Sequence, residues 1–331
     1  MTDMMDDQPA ETPMAPVPET SHRVWTVFAT IGATLALVLF SQIALGIGAV
    51  IWLISNGTPL DKIATAIQPF LATPSMFILL IIVGPGTFGL AAAFAAWFSP
   101  VPWSLRLRFV PVKQPLWFCA LLIFGSLFPT AIGIGMAEGL VKLWPNIPID
   151  TTAGEAIQNL TFGWWILFVI VIGLIPGFAE EMLFRGYIQS RFVSRFGPIT
   201  GIGVTSILFG LAHVMPAAVV MATFIGLYLG IVAWKTGSIW PTIGAHIFIN
   251  SSINLYRMVI KFAELSESIQ QSVMIATVSL SAICCLAALW MLFRPTRRSV
   301  SPTTDVLKRN EVNVNQEIKT QIPQPFVRCD N

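Results

Sequence analysis

Hydrophobic positions in this chain come in long unbroken runs, with almost no short alternating or one-sided stretches between them. Runs long enough to cross the ~30 Å apolar layer of a bilayer occupy about 24–53, 75–98, 115–137, 162–184, 198–215, 217–234, 238–260 and 272–293. A segment apolar on all sides belongs inside lipid or a large core. Within lipid, a single such segment satisfies its backbone only as a helix. The pattern therefore predicts an all-α, polytopic membrane helix bundle of about eight transmembrane helices. The first run is overlong, which implies tilt or an interfacial extension. The fifth and sixth are separated only by a turn at Pro216, and merging them leaves seven.

Composition supports the membrane class. Hydrophobic residues make up 55% of the 331 positions and charged residues 11%, against about 25% charged in soluble domains. A formal net charge of +2 provides no basic field for nucleic acid. Cys119, Cys284 and Cys285 lie in apolar runs and Cys329 near the C-terminus, with no C-x-x-C spacing, so no disulfide or structural-metal framework is expected. Residues 1–22 carry five carboxylates, four prolines and no Lys or Arg, which reads as a disordered acidic tail; from 299 onward the chain reads as a second flexible tail.

Charge placement sets the expected orientation. With the N-terminus inside, Arg23, Arg106, Arg108, Lys113, Arg185, Arg191, Arg195, Lys235, Arg294, Arg297 and Arg298 fall on the cytoplasmic side. Lys62, Lys142, Arg257 and Lys261 fall outside, so the bias is eleven against four and both termini are expected in the cytoplasm. Trp103–Phe109 alternates apolar and basic residues and is expected along the inner interface. Gly226-x-x-x-Gly230, Gly201 and Gly203 are candidate close-packing positions. Pro85 and Pro176 are expected to kink their helices, Pro176 one turn before a pair of glutamates, where a kink can open a polar cavity.

Three elements carry candidate chemistry. Glu180-Glu181-x-x-x-Arg185 closes an uncharged run that begins at Phe162, and no other Asp or Glu occurs from Thr161 to Arg257. Ionisable groups at such depth cost at least ~2.5–3.5 kcal/mol and mark function by default. Adjacent helical residues point about 100° apart, so the carboxylates take different directions. Glu181 and Arg185, four apart, can pair; Glu180 is left for general-base work. The bland alternative has both glutamates capping the membrane edge. The second element is Phe209-x-x-x-His213, where a lone histidine is more often a packed residue than a catalyst. The third is His246-x-x-x-Asn250, on one helical face that Asn254 continues; its bland reading is a polar seam between helices.

In this order on successive membrane helices, the three motifs resemble the CPBP family of intramembrane proteases. That family includes type II CAAX prenyl endopeptidases and the Abi proteins linked to bacteriocin processing and immunity. The run Thr236-Gly-Ser-Ile-Trp-Pro241 adds to the likeness. The resemblance implies a catalytic core over 161–256, with N-terminal transmembrane helices over 23–160, a last transmembrane helix within 257–298, and a tail over 299–331. It implies that Glu180 activates water with His213 assisting, that His246 and Asn250 stabilise the oxyanion, and that Glu181, Arg185 and Phe209 support them. Zn²⁺ on His213 and His246 with Glu180 is one option, and metal-independent hydrolysis is the other, since no His-Glu-x-x-His helix is present. The implied protein is a multi-pass enzyme of a prokaryotic cell membrane, in contact with membrane lipid, that cuts lipidated or membrane-embedded polypeptides. A non-enzymatic immunity or scaffold protein of the same fold is the alternative, and a proton-coupled transporter a more distant one.

One conflict of depth accompanies this reading. On straight helices Glu180 lies ~24 Å from the outer end of its span, His246 ~12 Å from the inner end of its own, and His213 ~22 Å from the inner start of the fifth. A shared site requires the fifth span to tilt, to begin beyond the membrane surface, or to run differently.

Overall fold

The computed structural model describes residues 24–148 and 151–294, whose regular elements are all helical, with no strand among them. The acidic and C-terminal tails, with Arg23, Arg297, Arg298 and Cys329, lie outside the described residues. The elements are α1 (Trp25–Ser55), a 3₁₀ turn (Leu60–Lys62), α2 (Ile63–Leu71), α3 (Pro74–Trp97), α4 (Trp103–Arg106), α5 (Leu116–Gly125) and α6 (Leu127–Leu143). They continue with α7 (Thr151–Gln158), α8 (Phe162–Glu181), a π-helical segment (Met182–Gln189), α9 (Ser190–Leu211), α10 (Pro216–Thr236), α11 (Trp240–Ala263) and α12 (Glu267–Phe293). One compact unit runs through Leu289. Of the second, from Trp290 onward, the described part is a last turn in which Arg294 stacks on Trp290.

Among the described residues, six helical stretches are long and apolar enough to cross a membrane: 25–55, 74–97, 116–143, 162–211, 216–236 and 267–293. This is an integral membrane protein of helices. The expected count of eight differs for two physical reasons. The runs at 162–184 and 198–215 belong to one helical stretch without an intervening loop, and α11 is long enough but too polar, carrying His246, Asn250, Asn254, Arg257 and Lys261.

The stretch 162–211 folds back on itself. Gly197 adopts φ 80° and ψ 168°, and Pro198 follows it. The return is tight, since a Cβ at Gly201 would stand 2.5 Å from the Val193 backbone nitrogen. This corner resolves the depth conflict. Glu180 lies sixteen residues before Phe196 and His213 fifteen after Pro198, so both stand about 22–24 Å from one corner at 1.5 Å per residue. The return limb ends at Leu211, and Pro216 opens α10 after a short turn.

Glycines set the spacing around this hairpin. Gly226 of α10 would bring a Cβ within 3.2 Å of the Ser206 Cα, and Gly230 within 2.8 Å of Ile202, so α10 packs backbone to backbone on α9. Gly203, expected to do the same, has nothing near it. Gly173 and Gly177 of α8 face Ser251 and Ile247 of α11; a Cβ at Gly177 would lie 2.5 Å from the Ile247 side chain. That spacing, one turn apart, admits α11 beside the glutamates.

The segment 103–110 is exposed at Trp103 and packs into the bundle beyond it. Leu107 is fully buried beneath the π segment, where Gly186 makes room for its backbone. The Arg108 carbonyl accepts from Ile239 N at 3.1 Å, and the Val110 carbonyl accepts from Ser238 Oγ at 2.7 Å. Gly237, left-handed at φ 72°, ends α10 in the usual glycine manner. The run 236–241 is thus the junction that locks the start of α11.

Candidate active site

Pro176 determines how α11 is held. It has no N–H, so the carbonyl of Ile172, four residues earlier, loses its helical donor. A carbonyl left bare in an apolar interior is costly, and Asn250 Nδ2 donates to it at 3.1 Å. Asn254 Nδ2 donates to the Asn250 carbonyl at 2.8 Å. The Asn250–Asn254 stripe is therefore a seam in this structure, joined to α8 at a defect that Pro176 creates. Asn250 sits one turn from His246 and makes no bond to the glutamates.

With α11 seated, His246 stands against both carboxylates. Its Nδ1 donates to Glu181 Oε1 at 2.9 Å, and the same oxygen accepts from Arg185 Nη1 at 2.7 Å. Glu181 and Arg185 are 0% and 1% exposed, so this is a fully buried pair. The pairing of Glu181 with Arg185 is as the spacing predicts. Its extension to His246 is not legible from spacing, because the partner is 65 residues away. With Nδ1–H committed to Glu181, His246 turns Nε2 towards Glu180, whose Oε2 is 3.9 Å away. That oxygen is buried and has no hydrogen-bond partner among the described residues. A separation of 3.9 Å is too long for a direct hydrogen bond.

Phe209 joins the three motifs. It is 1% exposed. The Arg185 guanidinium lies 4.1 Å over its ring, and the rings of Phe184, His213 and His246 meet it edge-on at 5.1, 5.1 and 5.8 Å. His213 is half-buried at the end of α9, its Nδ1 donating to the Phe209 carbonyl at 2.9 Å, which leaves Nε2 as an acceptor. The next residue, Val214, has φ 62°. A β-branched residue in that region is strained by about 1–3 kcal/mol and marks a position over-determined by its surroundings.

The π segment follows directly on the glutamates, a placement common at functional sites. It directs Arg185 Nη2 to the Gly226 carbonyl at 3.4 Å and Gln189 Nε2 to the Gly230 carbonyl at 2.9 Å. Gln189, Gly173, Gly177 and Gly186 are supporting residues that sequence reading missed. The Gly173-x-x-x-Gly177 spacing was the available signal for two of them. Arg106, Arg185 and Arg191 are buried and so leave the count of flanking charges, making the expected bias eight against four.

As a metal centre the site is incomplete. No three His, Cys, Asp or Glu side chains are grouped to hold a metal ion among the described residues. His213 reaches the cluster only through the Phe209 ring. No step is routed through a metal below.

A bundle of apolar helices with two carboxylates, a guanidinium and an oriented imidazole buried together defines a helical membrane protein with an internal charged cluster. Residues 162–252 match the family described as Rce1-like, type II CAAX prenyl endopeptidase Rce1-like. All three motifs lie within the matched stretch. No curated protein and no solved structure matches the chain.

Proposed function

We propose that the protein is an intramembrane endopeptidase that cuts lipidated or membrane-embedded polypeptides, prenylated C-terminal peptides being the first class to test. The observation that carries this reading is the buried Glu180 Oε2, without a hydrogen bond and 3.9 Å from an imidazole that Glu181 orients. In this reading Glu180 is the carboxylate base, and His246, whose Nδ1–H is held by Glu181, presents Nε2–H as the donor.

Water bound against Glu180 then loses its proton to Oε2 as its oxygen attacks the scissile carbonyl. His246 Nε2–H donates to the developing oxyanion, and Glu180 returns the proton to the leaving amine. Glu181 keeps His246 in the tautomer and orientation that this requires, as an orienting carboxylate does for an imidazole elsewhere. In this reading His213 assists, its Nε2 accepting from the same water. Asn250 holds α11 in register, and its second N–H remains for the oxyanion. The residual Lys/Arg bias supports cytoplasmic termini and a site that opens to the cytoplasmic side.

The test is cleavage of a quenched prenylated peptide by the purified protein in bilayers, wild type beside Glu180→Gln, each with and without a chelator. Loss in the variant alone is the expected result. Unimpaired turnover by Glu180→Gln would remove Glu180 from the mechanism, and loss on chelation would require a metal in it.

A further inference from the structure

The first helix is the least covered of the spanning stretches. Only 11% of the apolar part of α1 is buried, the smallest share among the six. Phe28, Leu35 and Leu39 are 63%, 59% and 63% exposed. With Gly32, Gln42 and Gly46 they follow one another at intervals of four, three, four, three and four residues. At 100° per residue the six fall within an arc of about 80°, a straight seam of about five turns with the spacing of a helix-pairing face. All are exposed except Gly46, which is half-buried. A Cβ at Gly32 or Gly46 would meet nothing within 4 Å, so no neighbour in this chain requires a glycine at either position.

Gln42 is the polar member of this seam. It stands seventeen residues after Trp25 and thirteen before Ser55, about 26 Å and 20 Å from the two ends of the helix. Wherever a ~30 Å apolar layer falls along α1, Gln42 lies inside it. The side chain is exposed and makes no hydrogen bond among the described residues. Its Nε2 lies 3.8 Å from where a Cβ would stand on Gly84 of α3, so α3 offers it only a glycine. The adjacent Ser41 is satisfied within its own helix, Oγ donating to the Val38 carbonyl at 2.8 Å. A carboxamide carries two donors and an acceptor oxygen, and leaving them bare in hydrocarbon is costly.

From this unpartnered carboxamide in an exposed seam we propose that α1 is the contact face for a second copy of this chain. Copies inserted in one orientation pair about a twofold axis along the membrane normal, which sets each residue at the depth of its own counterpart. Gln42 therefore meets an identical carboxamide, and each group donates to the other's oxygen, so the face complements itself. Gly32 and Gly46 let the two helices approach closely on either side of that bond. One polar residue in an otherwise apolar seam also fixes the register and holds the assembly at two.

Single-molecule photobleaching of the full-length protein, labelled at its N-terminus and diluted over a range of protein-to-lipid ratios in phosphatidylcholine liposomes, tests this. Wild type is expected to pass from one bleaching step to two as its density rises, and no further. Gln42→Leu should weaken that association about tenfold, the worth of the reciprocal pair of bonds, whereas Gln42→Asn, which keeps the carboxamide, should retain most of it. Gly32→Leu, placed in open space, should weaken it as well by holding the helices apart. Because Gln42 bonds to nothing within its own chain, the thermal midpoint of Gln42→Leu in detergent should match wild type, which separates lost association from lost fold. A wild type that stays single at every density overturns the proposal. So does a Gln42→Leu protein that pairs as wild type does: a lower rate of prenylated-peptide cleavage in that variant would then assign the face to substrate, and an unchanged rate would leave it to lipid.

Discussion

Two helix contacts meet at the glutamates, and they are built alike: α10 against α9 and the π segment, and α11 against α8. In each, two glycines one turn apart bring backbones together, Gly226 and Gly230 in the first, Gly173 and Gly177 in the second. In each, a side chain of one helix then donates to a carbonyl of the other: Arg185 and Gln189 to the carbonyls of Gly226 and Gly230, Asn250 to that of Ile172. They differ in the carboxylates. Glu181 is held between Arg185 and His246 through Oε1, its Oε2 without a partner, whereas Glu180, on the preceding position, makes no hydrogen bond among the described residues. A membrane interior normally suppresses an unsatisfied acid. The two bonds to Glu181 mark it as the part of the cluster that holds the bundle, a role Glu180 does not share.

The largest effect that can break this contrast is at Glu181. Glu181→Ala leaves Arg185 buried without its carboxylate and is expected to cost about 3–5 kcal/mol, seen as loss of folded protein in detergent. Glu180→Gln should leave the unfolding midpoint nearly unchanged while eliminating cleavage. If the two variants destabilised equally, the division of roles would be wrong.

Next comes the glycine spacing. Gly177→Ala would place a methyl against Ile247, and overpacking of that kind costs about 1–3 kcal/mol. Because the shift moves His246 from Glu180, activity should fall further than stability. Gly226→Ala, crowding Ser206 and Phe209 at 3.1–3.2 Å, should lower stability and activity in proportion.

A double variant sharpens the role of Asn250. Asn250→Ala strips the Ile172 carbonyl and is expected to cost about 1 kcal/mol. Adding Pro176→Ala supplies a backbone N–H to that carbonyl and should recover most of the loss. If turnover recovers along with stability, Asn250 acts through helix position; if stability recovers and kcat does not, Asn250 also acts on the oxyanion.

The smallest effect is at Val214. Val214→Gly removes the left-handed strain and should raise stability by about 1 kcal/mol, with a drop in kcat if that turn fixes His213. Thermal unfolding beside initial rates reads both.

Much of this arrangement was legible in the chain. Long apolar runs announced the helices, and the isolation of Glu180 and Glu181 among uncharged residues announced the centre. Glu181 with Arg185 followed from i,i+4 spacing. Where the contact joins distant segments, spacing carried nothing. The bond from His246 to Glu181 depends on α11 lying against Gly173 and Gly177. The bond from Asn250 to Ile172 depends on a hydrogen bond that Pro176 removes. The span count differs for a related reason: hydropathy does not distinguish a loop from the Gly197 corner, and α11 carries the polar seam that lowers its own apolar signal.

The corner at Gly197–Pro198 also constrains how relatives of this chain can differ from it. Glu180 and His213 hang from one fixed point on limbs of nearly equal length. Losing or gaining one residue in either limb would turn its end by about 100° and slide it 1.5 Å, carrying one group out of line with the other. Length between the first and second motifs is therefore inheritable only as a matched pair of changes, one on each side of the glycine, whereas the loop beyond Ala263 carries no such constraint.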